Sequence, residues 1–160
     1  MKDRHVLKIS NITKVYPGVT ALDDVTFTAY GGEVLGLVGV NGAGKSTLMN
    51  ILGGITTATS GTICFDDTVL DISSPKDSER AGIGFIHQEP VLFSHMSVAE
   101  NICMTHLDKI VDYRKIRQTA SKYLSFLGSE IDPKTKISDL SIGSKQLVAI
   151  ARAIYEGGKI

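Results

Sequence analysis

The sequence predicts an α/β fold: a small antiparallel strand pair, a core strand feeding a glycine-rich loop and helix, and a group of helices behind them. Three observations predict it. Residues 6–12 alternate apolar and polar side chains, and a second strand-like stretch at 24–29 follows the turn signal Pro17-Gly18. Residues 33–39 are almost continuously apolar, the pattern of a strand covered on both faces. From Ser97 onward the apolar residues recur at helical spacing instead.

Composition bounds the function. The chain has 160 residues, with 17 Lys+Arg against 17 Asp+Glu and a formal net charge of zero. That length suits one domain, and the charge balance gives no field for nucleic acid, so none is expected as a partner. Gly is abundant at 16 residues against 4 Pro, which favours tight backbone turns over a linker. Cys64 and Cys103 form no CxxC pair, so they read as reduced thiols and not a metal site. The start, Met1-Lys2-Asp3-Arg4-His5, lacks an apolar signal core, and the longest apolar stretch, 34–40, is too short to span a bilayer. A cytosolic protein that reaches a membrane only through partners is expected.

The remaining elements follow in order. The strand pair ends at Gly31-Gly32. A helix is expected over 46–52, with Leu48, Ile51 and Leu52 on one face and Gly53-Gly54 as its stop. Residues 61–65 read as a strand. Pro75 suits the first turn of a short helix that Gly82 ends, and 83–88 read as another apolar strand. The pattern from 97 to about 128 is helical. Ser97 and Glu100 fit a capping box. Asp112 caps a helix whose stripe is Ile116, Ala120, Tyr123, Leu124 and Leu127, stopped by Gly128. A last helix is expected over 145–156, with Leu147, Ile150, Ala151 and Ile154 inward, and Lys159-Ile160 begin a further strand.

The chemistry sits at Gly39-Val40-Asn41-Gly42-Ala43-Gly44-Lys45-Ser46, which fits G-x-x-x-x-G-K-[ST] between an apolar strand and a helix. Glycines let the backbone curl so that successive N–H groups point at phosphate oxygens. The helix behind adds unpaired N–H groups and the positive end of its dipole. Lys45 supplies a charge for the β- and γ-phosphates, Ser46 a hydroxyl for Mg²⁺, and Thr47 a further phosphate contact. A plain turn between strand and helix is the bland alternative. The loop alone leaves kinases, GTPases, helicases and transport ATPases all open.

Four further segments resemble the ATP-binding subunit of an ABC transporter, in that family's order. Lys14-Val15-Tyr16-Pro17-Gly18-Val19-Thr20-Ala21-Leu22 is similar to its aromatic loop, which implies that Tyr16 stacks on adenine. Ile86-His87-Gln88-Glu89 resembles the Q-loop, which implies that Gln88 contacts Mg²⁺ or the attacking water. Residues 93–102 resemble the entry to the helical subdomain, where the family docks a coupling helix of its transmembrane permease. Leu140-Ser141-Ile142-Gly143-Ser144-Lys145-Gln146 resembles the LSGGQ signature, which implies that Ser141 and the Gly143 N–H reach the γ-phosphate held by an opposing subunit. Read as residues alone, Tyr16 is also a strand-end aromatic, 93–102 a capped surface helix and 141–146 a Ser-capped helix start.

The resemblance implies a P-loop NTPase of the ABC ATPase type. Its parts are an antiparallel β subdomain, an incomplete RecA-like core sheet and an α-helical signature subdomain, divided as 1–95 and 96–156. Ile142 and Ser144 depart from LSGGQ, at its third and fifth positions. An aliphatic third residue is familiar in the monosaccharide-importer branch, where two ATPase domains are fused, and Ser144-Lys145 departs even from that. ATP and Mg²⁺ are the implied ligands. The implied partners are a second ATPase domain or subunit packed head-to-tail, permease subunits and, indirectly, a periplasmic or extracellular sugar-binding protein. The implied place is the cytoplasmic face of the membrane.

The family next requires an apolar strand ending in Asp-Glu, the Walker B strand, and then a switch histidine. The chain stops at Ile160, where that strand would begin, and His5, His87, His95 and His106 do not match the switch position. The expectation is therefore a partial domain with Lys45, Gln88 and Ser141 as an incomplete catalytic set. Such a chain binds nucleotide and hydrolyses it poorly. A binding module without turnover and, more remotely, a soluble ABC protein of repair or translation are the competing readings.

Overall fold

The computed structural model describes residues 5–106 and 111–159. The chain divides into two compact units, one running to Ile83 and taking in Lys159, the other spanning Gly84–Gly158. Residues 84–95, grouped with the first part from sequence, fall within the second unit.

The first unit is a four-stranded antiparallel sheet with two helices. Strands β1 (Val6–Tyr16), β2 (Val19–Tyr30), β3 (Ser60–Phe65) and β4 (Thr68–Leu70) lie in the order β2-β1-β3-β4. The expected pair around Pro17-Gly18 is β1–β2, and β2 begins five residues earlier than the apolar pattern alone indicated. Leu7, Ile9 and Ile12 from β1 and Ile63 and Phe65 from β3 are buried. Against them helix α1 (Lys45–Leu52) sets Leu48, Ile51 and Leu52, the stripe read from its sequence. The β1–β2 ladder is interrupted between Ile9 and Ile12, where Asn11 and Asp24 both take positive φ and the Asn11 amide donates to Asp24 Oδ1 at 2.6 Å. Asn and Asp tolerate that backbone region better than other side-chain-bearing residues.

Strand β4 was not foreseen. Its hairpin turns on Asp66-Asp67, at φ 48° and 62°. A type I′ hairpin turn wants positive φ at both central positions, and here two aspartates supply it without the glycine that usually marks such turns. Asp66 also accepts from the His5 ring at 2.6 Å and from the Val6 N–H at 2.8 Å, tying the start of β1 to this hairpin. Helix α2 (Pro75–Arg80) starts at the expected proline.

Two expected strands are not strands. Residues 33–39 and 83–88 follow irregular paths with no ladder partner among the described residues. Val38 is 94% exposed and Val34 fully so. An apolar run of this kind takes strand geometry from neighbours that pair with its N–H and C=O groups. No described segment offers that pairing.

The second unit is helical: α3 (Val98–Cys103), α4 (Tyr113–Phe126) and α5 (Ile142–Tyr155), with single 3₁₀ turns at Met104–His106 and Ile137–Asp139. The helical stretch expected between α3 and α4 includes residues 107–110, which lie outside the described residues, as does Ile160 of the expected last strand. The capping box forms: the Glu100 N–H donates to Ser97 Oγ, and the Ser97 N–H donates to Glu100 Oε2 at 2.7 Å. The Ser97 hydroxyl and N–H hold the Glu100 carboxyl below the usual carboxylate range. Asp112 Oδ1 accepts from the Arg114 and Lys115 N–H groups, as expected of an N-cap. Ile116, Ala120 and Leu124 are buried, with Tyr123 and Leu127 packed at the edge of the same core.

Helix α5 differs from expectation in two ways. It starts at Ile142, because the Ser141 hydroxyl accepts from the Ser144 N–H and so opens the helix earlier than the apolar stripe does. Its buried residues are Val148 and Ala151, while Leu147, Ile150 and Ile154 are half-buried. Every residue from 147 to 151 is apolar, so spacing alone did not choose the inward face.

Candidate nucleotide-binding site

The glycine-rich loop closes onto the first turn of α1. Gly42 and Gly44 both have φ 86°, a left-handed conformation that lets the chain reverse twice within a few residues. At Gly44 the reversal happens against another strand: a β-carbon there would lie 2.4 Å from the Ala21 carbonyl oxygen and 2.7 Å from Leu22 Cδ2. The loop therefore sits directly on the start of β2. Gly44 also precedes the helix without any side-chain cap, so the first N–H groups of α1 are left to face whatever occupies the loop.

Lys45 lies inside the curl. Its ammonium donates to the carbonyls of Gly39 and Val40 at 2.7 and 2.8 Å. Asn41, Gly42, Ala43, Gly44, Lys45, Ser46 and Thr47 line one cavity of about 260 Å³ with Ala21. Whole small-molecule sites run to roughly 300–1,000 Å³. This volume suits a phosphate chain, with the rest of a ligand held elsewhere. Gly39 stands at the loop's entry, where a β-carbon would approach that of Ala43 to 3.2 Å. The donor set, a lysine and an uncapped helix N-terminus, fits anionic oxygens. Ser46 and Thr47, in the first helical turn, bring hydroxyls suited to a hard cation, and that of Ser46 is on the more exposed residue.

Tyr16 ends β1, opposite Val19 across the Pro17-Gly18 turn, and is 37% exposed. Ala21 and Leu22, on the other strand of that hairpin, lie against the loop at Gly44. The structure thus brings the loop and the start of β2 together within the first unit, with Tyr16 on the same hairpin as Ala21.

The other candidates lie in the second unit. Gln88 is exposed in the irregular stretch after Ile83. Ser141 caps α5, with its hydroxyl 2.9 Å from that of Ser144, and Gly143 is exposed in the first helical turn beside Ile142, itself 77% exposed. Sequence reasoning missed a groove of about 480 Å³ in this unit. It lies between residues 85–93 and α5, with Phe85, Val91, Phe93, Met104, Ala149 and Arg152 among its walls. Arg152 braces it, donating to Glu156 at 2.9 Å and to the Val91 carbonyl at 3.4 Å. The small residues Ala149 and Ala153, one turn apart on α5, were the available signal. Cys103 is buried, and burial raises its thiol above the ordinary value, so it is an unreactive packing residue.

A family model described as ABC transporter matches residues 22–160. The chain belongs to the ABC transporter family. It is 45% identical over 148 residues to the ribose import ATP-binding protein RbsA of Chelativorans sp. (strain BNC1), spanning 92% of this chain and 29% of that protein. It is 41% identical to the xylose import ATP-binding protein XylG of Geobacillus kaustophilus, over 98% of this chain and 32% of that protein. It is 42% identical to the arabinose import ATP-binding protein AraG of Pseudomonas fluorescens, over 96% of this chain and 30% of that protein. The chain thus spans about a third of the length of these relatives.

Solved structures agree on the fold. The ADP conformation of MJ1267, an ATP-binding cassette of an ABC transporter, superposes with a TM-score of 0.83 at 29% identity, covering 97% of this chain and 66% of that one. The ATP-binding cassette MJ0796, solved as a dimer with ADP and Pi, superposes at 0.76 with 28% identity, covering 94% and 69%. The P-loop NTPase fold of the ABC ATPase type is therefore that of this chain.

Proposed function

We propose that this chain is part of the ATP-binding subunit of an ABC importer, in which ATP binding and hydrolysis drive uptake of a sugar. The observation that carries the reading is the loop of residues 39–47: two left-handed glycines, an inward lysine and an uncapped helix start around a cavity sized for phosphates. The sugar assignment is supported by relatives named for ribose, xylose and arabinose import.

Each residue has a stated task in this reading. Lys45 exchanges two neutral carbonyl partners for β- and γ-phosphate oxygens, and hydrogen bonds between charged groups are the stronger kind. Backbone N–H groups of Gly39, Asn41, Gly42, Ala43 and Gly44 and the first turn of α1, including Thr47, surround the phosphates. Tyr16 stacks on the adenine. Ser46 would hold Mg²⁺, which would supply neutralising charge to the phosphate chain, and Gln88 is assigned to the same ion by the family resemblance. Ser141 and the Gly143 N–H serve nucleotide held by a second ATPase domain or subunit facing head-to-tail. Lys45, Gln88 and Ser141 are the catalytic residues in this set. A carboxylate to orient the attacking water is not among these residues. These 160 residues taken alone are accordingly proposed to bind nucleotide with little turnover.

The groove beside Phe93 is the proposed seat of a permease helix. It is concave and mainly apolar, with His87, Arg152 and Glu156 as its polar residues. Through the permease, the protein works at the cytoplasmic face of a membrane and answers indirectly to an external sugar-binding protein. No described helix is long and apolar enough to cross a membrane itself. Calorimetric titration with ATP tests the central reading. Saturable binding by this chain, lost in Lys45→Ala, is expected, whereas equal binding by both proteins would remove it.

A further inference from the structure

We propose that Lys14 is a positioning residue for the nucleotide base: its ammonium holds the ring of Tyr16 in the orientation that receives adenine. The inference rests on the reading that Tyr16 stacks on the base.

Tyr16 sits where the sheet no longer supports it on one side. The β1–β3 ladder ends at Thr13↔Ser60, three residues before the tyrosine. Beyond that point three contacts attach β1 to the segment leading into β3. The Thr59 N–H donates to the Thr13 carbonyl at 2.8 Å, and the Val15 N–H donates to Thr59 Oγ1 at 3.0 Å. The third is Lys14, whose Nζ donates to the Thr57 carbonyl at 2.6 Å. The same Nζ stands 5.0 Å from the centroid of the Tyr16 ring, within cation–π range. One atom thus spans a fixed backbone carbonyl and an aromatic face. Lys14 is itself half-buried, so its stem is held along this path. A ring with a cation on one face presents the other to a flat partner. The 37% exposure of Tyr16 agrees with a ring covered on one side only.

The role differs from that of a phosphate-binding lysine. Lys14 acts through Tyr16, so it affects ligands with a base and leaves bare polyphosphate alone. Arginine can replace it, because a guanidinium also bonds a carbonyl and lies over an aromatic face. Glutamine keeps a donor for Thr57 but brings no cation.

The chain contains no tryptophan, so Tyr16→Trp creates a unique fluorescent reporter. Without nucleotide, Lys14→Gln in that background should raise acrylamide quenching and lower the anisotropy of the indole, and Lys14→Arg should restore both. With native Tyr16, Lys14→Gln should weaken ATP about two- to fivefold, the span of an exposed cation–π contact. Tripolyphosphate affinity should not change, which also reports an intact loop. In a Tyr16→Ala background Lys14→Gln should have no further effect on ATP. Unchanged quenching of the reporter overturns the proposal whether or not nucleotide binds. So does an equal loss for ATP and tripolyphosphate. If Tyr16→Ala weakens ATP but Lys14→Gln does not, Lys14 alone is refuted. If Tyr16→Ala leaves ATP binding intact, the stacking reading fails and takes the role of Lys14 with it.

Discussion

Alanine in place of Gly44 tests the geometry of the phosphate loop more sharply than any change of charge. Two costs apply. The backbone there has φ 86°, and a side-chain-bearing residue pays about 1–2 kcal/mol to adopt a left-handed conformation. The new methyl would also stand 2.4 Å from the Ala21 carbonyl oxygen and 2.7 Å from Leu22 Cδ2. Overpacking of that kind costs roughly 1–3 kcal/mol when backbone must shift, and the first obstacle here is backbone. Gly44→Ala should therefore destabilise the first unit by about 2–5 kcal/mol. Gly42→Ala is the internal control. Its φ is also 86°, but no described residue beyond its chain neighbours lies within 4 Å of its would-be β-carbon, so only the conformational cost of about 1–2 kcal/mol remains. Urea unfolding followed by circular dichroism measures both. Equal midpoints for the two variants would refute the claim that the loop is seated on β2.

Other consequences are as direct. Asp66 has its carboxyl pulled below the ordinary range, first by the hydrogen bond from His5 and then by the Val6 N–H. Its contribution is complete above the unfolded carboxylate range and is lost as pH falls through the lowered folded value. In acid-range unfolding curves Asp66→Asn should accordingly flatten the dependence of the urea midpoint on pH, and an unchanged slope would contradict this. Glu100→Ala removes half of the capping box at Ser97 and should cost the helical unit about 1 kcal/mol, read as a lower urea midpoint. Val34 and Val38 are exposed on a run without ladder partners among the described residues. The 160-residue chain should self-associate with rising concentration in sedimentation velocity, and Val38→Lys should reduce it.

What could be read from the sequence was what is decided locally. The hairpin at Pro17-Gly18, the stripe of α1, the capping box at Ser97 and the Asp112 cap each depend on residues a few positions apart. The phosphate loop was legible for the same reason, as a fixed run of eight residues. Features that depend on distant partners were not. Residues 33–39 carry the composition of a buried strand, but only a neighbouring strand can make them one. The Asp66-Asp67 turn hid because two aspartates took the place of the usual glycine. The groove beside Phe93 is built by two segments about sixty residues apart, Val91 and Arg152 being bonded across it. The inward face of α5 was blurred by apolar residues on several sides. Lys14 went unremarked because its meaning lies in Thr57 and the Tyr16 ring.

Isothermal titration of the purified chain with ATP, beside Lys45→Ala, tests the central claim most directly. Hydrogen bonds to charged groups are worth about 1.5–3 kcal/mol, so the variant should bind at least about tenfold more weakly while its circular dichroism is unchanged. Binding of one ATP per chain with that loss is the predicted result. A folded chain that binds no ATP, or binds it equally well without the lysine, would contradict the account.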